Sequence, residues 1–398
     1  MDGACIRDML SHRREVKMKV LSLYANIGVA EAYLRRIGID VVVANELVSR
    51  RAELYSNIYP ETTMICGDIT QDSIYQNIIA QAQSKGVDVI MATPPCQGIS
   101  RAGKQKEDDI RNLLILPVIQ CVLDIRPRYV MIENVPQFTE TFITIDGSNV
   151  KIIDYIKRKL EDYYDISINL IDTKHYGVPQ TRQRAIILLS RKDCMSWSIP
   201  NKESELVTLR DAIGDLPSLD PFISDVSQEE IFNIFPQYYE KAAVGKRVSV
   251  WHKPPKHIYR QVITMMHTPT GKTAFDNDKY VPIKADGTPV TGYKSTYRRL
   301  RWDAPASTVT MDNRKISSQN NVHPGRYLGL DENGDCIYSD ARALSLFELM
   351  RIMSLPDDWA LPLNTNEAFV RSVIGEGIPP LFIKKLFEKL KEVNYGEN

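Results

Sequence analysis

Along the first 190 residues, short apolar runs rich in β-branched side chains alternate with longer stretches of helical period. The runs predict strands at Lys19–Leu23, Asp40–Ala44, Thr63–Cys66, Val87–Ala92, Arg128–Ile132, Ile166–Ile171 and Ala185–Leu189. Between the early ones, Ala30–Ile37 and Ser73–Ser84 carry the spacing of amphipathic helices. Strand–helix alternation of this kind predicts an α/β fold built on a parallel, doubly wound sheet. After Ser190 the rhythm stops, and proline, tyrosine, lysine and turn pairs such as Asp286-Gly287 take over. That change predicts a larger unit over 1–190, a smaller and less regular one over 191–362, and a helical segment over 363–398, broken at G-E-G-I-P-P.

Open α/β sheets keep their ligands at the C-terminal ends of the strands, so the residues there are the first candidates for a site. The first run ends in S-L-Y-A-N-I-G-V-A-E, where Gly28 is expected to turn the chain into a helix. The second ends at Glu46, 18 residues beyond Gly28, a spacing at which an acid meets ribose hydroxyls in nucleotide-binding sheets. The third runs into C-G-D-I-T and sets Asp68 on the same rim. The fourth ends in M-A-T-P-P-C-Q-G-I-S; proline cannot continue an interior ladder, so Cys96 falls on a stiffened loop. The fifth, M-I-E-N-V, puts Glu133 and Asn134 directly after a buried run, where an acid needs a partner or a task. Each residue also has a plainer reading: Glu46 a cap, Asp68 a turn former, Cys96 a small buried hydrophobe, Glu133 half of an ion pair.

Composition narrows the class. An apolar share of 43% with 25% charged residues is that of a soluble globular protein, and no window approaches a membrane-spanning length. The N-terminus lacks the apolar stretch of a signal peptide, and six scattered cysteines without a C-x-x-C fit a reducing, cytoplasmic setting with no zinc site. Net charge is zero, yet Lys241–Arg301 holds 13 cations against 3 anions, while 191–239 holds 4 against 9. A basic block of this size, with Trp251, Tyr259, Tyr280, Tyr293 and Tyr297 interleaved, suits contact with nucleic-acid phosphates. Gly271-Lys272-Thr273 is no phosphate loop, because the earlier glycine would have to stand at Met266.

P-P-C-Q, D-I-R-N, E-N-V, Y-G-V-P-Q-T-R-Q-R and R-A-L-S-L-F-E-L-M-R-I-M-S-L-P-D-D-W occur in that order, and with them the chain resembles the DNA cytosine-5 methyltransferases. The resemblance runs from Lys19 to Val393 and is weakest over about 200–290. It implies a Rossmann-like S-adenosylmethionine-binding domain over 1–190 and target recognition within 191–362, with 363–398 returning to the first domain. It implies that Cys96 adds to carbon 6 of a flipped-out cytosine, so that carbon 5 becomes nucleophilic enough to take a methyl group. Glu133 would hydrogen-bond the ring, and Arg182 and Arg184, alternating with Gln183, would hold the cytosine carbonyl and a phosphate. Asn134 would fix the cysteine loop.

By the same resemblance, S-adenosylmethionine lies among Tyr24, Ala25 and Gly28, with Glu46 at its ribose, Leu47 and Ile69 flanking adenine, Asp68 at the adenine amine, and Pro94 and Leu114 closing the pocket. Departures gather here. The family usually has glycine where Asn26 and Val29 stand, an acid at Ser22, and an Asn-Ser pair at Glu376-Gly377. Asparagine tolerates positive φ, so Asn26 can still make the turn. Glu376 beside a cofactor carboxylate would repel it, which means either weaker binding or compensation by neighbours. The implied substrate is a specific duplex DNA sequence, modified by a monomer that acts apart from any cognate restriction endonuclease and from membranes. A transfer-RNA cytosine-5 methyltransferase and a catalytically silent DNA-binding relative are the alternatives.

Overall fold

The computed structural model describes residues 18–95, 110–277, 279–292, 294–313, 315–317 and 319–395. Cys96 and Tyr293, both singled out above, lie outside the described residues.

The first strands are β1 (Met18–Leu23), β2 (Ile39–Glu46), β3 (Thr63–Cys66), β4 (Val89–Ala92) and β5 (Tyr129–Asn134). A small hairpin, β6 (Phe142–Ile145) with β7 (Ser148–Lys151), precedes β8 (Tyr164–Asp172) and β9 (Gln183–Arg191). Apart from the hairpin these form one seven-stranded sheet in the order β3-β2-β1-β4-β5-β9-β8. Every apolar run read from the sequence is a strand of it. The chain reverses its direction of travel across the sheet between β1 and β4, and ligand clefts of open sheets form beyond that reversal.

β1 to β5 are parallel, but β9 runs antiparallel to both β5 and β8, so the expectation of a wholly parallel sheet is corrected. The physical reason is length. Only residues 173–182 join β8 to β9, too few for the crossover that a parallel pair requires. The reversal brings the start of β9 to the rim where β5 ends, with Ala185 paired to Asn134.

The helices between these strands are α1 (Ser49–Ile58), α2 (Asp72–Lys85), α3 (Ile115–Ile125) and α4 (Ile152–Leu160); α2 matches the expected Ser73–Ser84 within a residue at each end. Ala30–Ile37 does not form the expected helix. It forms tight turns ending in a 3-10 turn at Arg35–Ile37, closed by i to i+3 bonds such as Leu34 N–H to the Glu31 carbonyl at 2.9 Å. Within this segment Glu31 is buried against Ser22 on β1, whose hydroxyl donates to its carboxylate at 2.6 Å.

Side chains of alternate parity clothe the two sheet faces. Leu21, Ile90, Val130 and Ile132 pack with α2, α3 and α4. After β9 come α5 (Leu209–Ile213), α6 (Gln228–Ile234), α7 (Tyr238–Val248), α8 (Tyr259–Met266), α9 (Leu346–Ile352), α10 (Glu367–Ile374) and α11 (Pro380–Tyr395). Phe382, Ile383, Leu386, Phe387 and Leu390 of α11 cover Val20, Val89, Met91 and Met131 on the other face. A further apolar cluster knits Ile27 and Val29, just after β1, to Leu54 and Ile58 of α1 and to Leu346, Met350, Trp359 and Ile374. No helix among the described residues is long and apolar enough to cross a membrane.

The R-A-L-S-L-F-E motif is explained by packing. Arg342, fully buried, bonds Asp340 at 2.7 Å and both oxygens of Glu348 at 2.8 Å, while Ser345 and Glu348 cap the start of α9. Burial works against the Glu348 charge, but Arg342 outweighs it and holds the carboxyl down to about 2.

Candidate active site

Beyond β1 the chain makes an unusual turn. Tyr24 and Asn26 are both left-handed, with φ of 60° and 51°, and Gly28 follows at 79°. Asparagine thus makes the turn, as expected from its tolerance of this region. A Cβ at Gly28 would come within 2.1 Å of the Tyr59 ring, so the site excludes side chains for space as well as for conformation. The Ala25 N–H bonds the Asn45 carbonyl at 2.9 Å, and Thr93 ties the end of β4 to the same turn through the Leu23 and Tyr24 carbonyls. The Tyr24 hydroxyl donates to the Leu114 carbonyl at 2.7 Å, and burial pushes its phenol above the usual range. No α-helix opens at Gly28, so no helix N-terminus supplies charge there; the expectation of one is corrected.

Glu46 ends β2 nearly buried. One carboxylate oxygen accepts the Asn26 N–H at 2.9 Å and the other the Val48 N–H at 2.9 Å, which joins the two strand ends. Asp68 accepts from the Thr70 N–H and hydroxyl, the turn-forming role weighed above. Leu47 is 60% exposed although apolar, while Ile69 and Pro94 are buried and Leu114 half-buried. The structure therefore brings Tyr24, Ala25, Gly28, Glu46, Leu47, Asp68, Ile69, Pro94 and Leu114 to one rim.

Glu133, 6% exposed at the end of β5, forms an ion pair with Arg184 at 2.6 Å. The antiparallel β9 makes that pair. Asn134 donates to the Pro94 carbonyl at 3.0 Å and accepts the Val135 N–H at 2.9 Å, so it anchors the last described residues before Cys96. Arg182 is placed elsewhere, although alternation suggested a face shared with Arg184. It is fully buried, donating to the Val309 carbonyl at 2.9 Å and to those of Gly375 and Glu376 at 2.7 and 3.3 Å. Gln180 is likewise internal, bonded to Val309 and Ile352.

The departures from the family pattern meet one another. Glu376 accepts from Arg51 at 2.9 Å and from the Asn26 amide at 3.0 Å, and Gly377 lies so close to Val29 that a Cβ there would sit 2.9 Å from it. Burial raises the Glu376 carboxyl, with Arg51 opposing and Glu46 adding to the shift. Sequence reasoning missed Arg51. It also missed the Ser22–Glu31 pair, although the absence of an acid at 22 and the presence of one nine residues later was a readable signal.

Much of the basic block is neutralised within the protein, largely at its surface. Lys241 pairs with Asp220, Lys253 with Glu367, Lys279 with Asp335 and Arg301 with Asp303, while Arg299 is buried on backbone carbonyls. Lys246, Arg247, Lys256, Lys272, Lys284 and Lys294 face solvent. The aromatic expectation is corrected in part: Trp251 and Tyr297 are buried because they complete the local core, while half-buried Tyr280 stacks on His267 at 3.5 Å and Tyr259 is exposed.

The chain matches the C-5 cytosine-specific DNA methylase family over residues 18–392. It is 41% identical to the Type II methyltransferase M1.HgaI of Avibacterium volantium across 94% of this chain and 98% of that one. It is 25% identical to the Type II methyltransferase M.AgeI of Thalassovita gelatinovora, covering 94% and 99%. Its fold is similar to that of a putative DNA modification methyltransferase from an Escherichia coli prophage, with a TM-score of 0.63 at 18% identity, covering 95% and 99%. A similar fold is seen in Spodoptera frugiperda DNMT2, with a TM-score of 0.52 at 17% identity, covering 94% and 99%. Motif order, sheet topology and full-length similarity thus converge, and the chain belongs to the C-5 cytosine-specific DNA methylase family.

Proposed function

We propose that the protein methylates carbon 5 of a flipped-out cytosine within a specific duplex DNA sequence, through a transient bond from Cys96 to carbon 6. The observation that carries the reading is the Glu133–Arg184 pair, set beside the Asn134–Pro94 bond two residues ahead of Cys96 in the chain. The residues beyond β1 and β2 fit S-adenosylmethionine. The Asn26 side-chain oxygen is buried without a partner among the described residues, and Leu47 offers an exposed apolar wall. When bound, that cofactor supplies an electrophilic methyl group on a sulfonium.

In this mechanism the Cys96 thiolate forms the bond to carbon 6 while Glu133 hydrogen-bonds the ring at N3 and the exocyclic amine. Arg184 orients Glu133 and reaches the cytosine carbonyl. Once carbon 5 carries the methyl group, loss of its proton to water restores the double bond and releases the sulfur. The target must leave the duplex, since a stacked base cannot present both faces at once. The exposed lysines of 246–294 would follow the phosphates. The naming of M1.HgaI and M.AgeI as Type II methyltransferases supports a restriction–modification setting in a bacterial cytoplasm, beside a separately acting endonuclease.

The test is covalent trapping. DNA copied with 5-fluorocytosine in place of cytosine is incubated with the protein and S-adenosylmethionine and run on a denaturing gel. Fluorine cannot leave carbon 5 as a proton does, so wild-type protein is expected to migrate bonded to DNA and Cys96→Ala to migrate free. A band of equal strength with the alanine variant refutes the adduct.

A further inference from the structure

Asn26 is where two carboxylates meet. Its N–H bonds Glu46 at 2.9 Å and its amide nitrogen bonds Glu376 at 3.0 Å, from a segment 350 residues away along the chain. The Glu376 side chain is 19% exposed and that of Arg51 23%, so the pair is shielded from bulk water and its field is weakly screened. Among the described residues Arg51 bonds Glu376 through a single guanidinium nitrogen. Arg182 stands behind the same loop on the Gly375 and Glu376 carbonyls, a fixed positive background. The amide orientation leaves the Asn26 oxygen buried and unpartnered beside these charges.

A methyl donor and its demethylated product differ in charge. S-adenosylmethionine carries a sulfonium, an ammonium and a carboxylate, net +1; loss of the methyl group leaves a neutral thioether, net zero. Any fixed charge beside the amino-acid end of the ligand therefore acts on the difference between the two, whatever the background. We propose that Glu376, poised between Arg51 and Asn26, is an electrostatic positioning residue that makes the cofactor site favour the sulfonium donor over its thioether product. The inference rests on the reading of this turn as the cofactor site. It assigns the acidic departure at 376 a task, discrimination by charge, instead of treating it as a defect offset by neighbours. The Asn26–Glu376 bond also couples the loop at 375–377 to the turn that holds the ligand.

The two partners of the ion pair give opposite predictions. Calorimetry of the full-length protein without DNA measures dissociation constants for S-adenosylmethionine and S-adenosylhomocysteine. Glu376→Gln is expected to shift their ratio by about tenfold against the donor, and Arg51→Gln to shift it by a similar factor toward the donor. Thermal melting without ligand reports whether each variant folds, and either variant alone carries the sign. A role limited to holding the loop would weaken both ligands in proportion, and an unchanged ratio in a folded variant overturns the proposal. Wild-type protein that binds neither molecule overturns the methyl-donor reading itself, and this inference with it.

Discussion

Glu133, Arg182 and Arg184 show how far single residues can be read. An acid after a buried strand calls for a partner, and the structure supplies Arg184 at 2.6 Å. Alternation alone placed the two arginines together. They reach different partners: Arg182 is buried on carbonyls of Val309, Gly375 and Glu376, and only Arg184 meets Glu133. Lysine cannot reproduce either guanidinium geometry, so the two conservative variants should part company. Arg182→Lys is expected to lower stability by roughly 2 kcal/mol through lost buried hydrogen bonds, seen in urea denaturation. Arg184→Lys is expected to cut turnover at least about tenfold while moving the melting temperature by no more than about 2 °C. Equal losses of stability in both would contradict the separation of roles.

At the scale of elements, the seven strands were legible because each is a bounded apolar run, and α2 because its period is regular over fourteen residues. The turn after β1 was not. Its helical spacing gives tight turns instead, and within them Glu31 is buried and pushed up to about 7 even though Ser22 donates to it. One Glu31 oxygen and the Tyr55 hydroxyl stay buried without partners among the described residues. A carboxyl whose folded-state value is raised takes up protons on folding, so its contribution to stability is present at low pH and lost as pH rises through about 7. Buried His257 and His323, both held down to about 4, act in the opposite direction, so the Glu31 contribution is read as a difference: between about pH 5 and pH 8 the denaturant midpoint of Glu31→Gln should gain on that of the wild type. A constant difference between the two proteins would show that Glu31 does not titrate in this window.

At the scale of the whole molecule, motif order and the rim at the strand ends were legible in the sequence. What escaped was contact between distant segments. The Asn26–Glu376 bond spans almost the entire chain, and the cluster of Ile27 and Val29 with Leu346, Trp359 and Ile374 is built from parts that carry no local mark of meeting. Long-range packing decides these pairs, and a single sequence read by period and propensity does not register it. The consequence is functional: α10, α11 and the loop between them form one wall of the turn that the cofactor reading depends on.

The account stands on methyl transfer to DNA cytosine through Cys96. Expressing wild-type and Cys96→Ala protein in cells that lack cytosine methylation, then mapping 5-methylcytosine by bisulfite sequencing, tests it most directly. The wild type is expected to mark cytosines within one recurring DNA sequence, and the alanine variant to leave the genome unmarked. Methylation that persists without the thiol, or DNA that stays unmarked while RNA cytosines are modified, would contradict it.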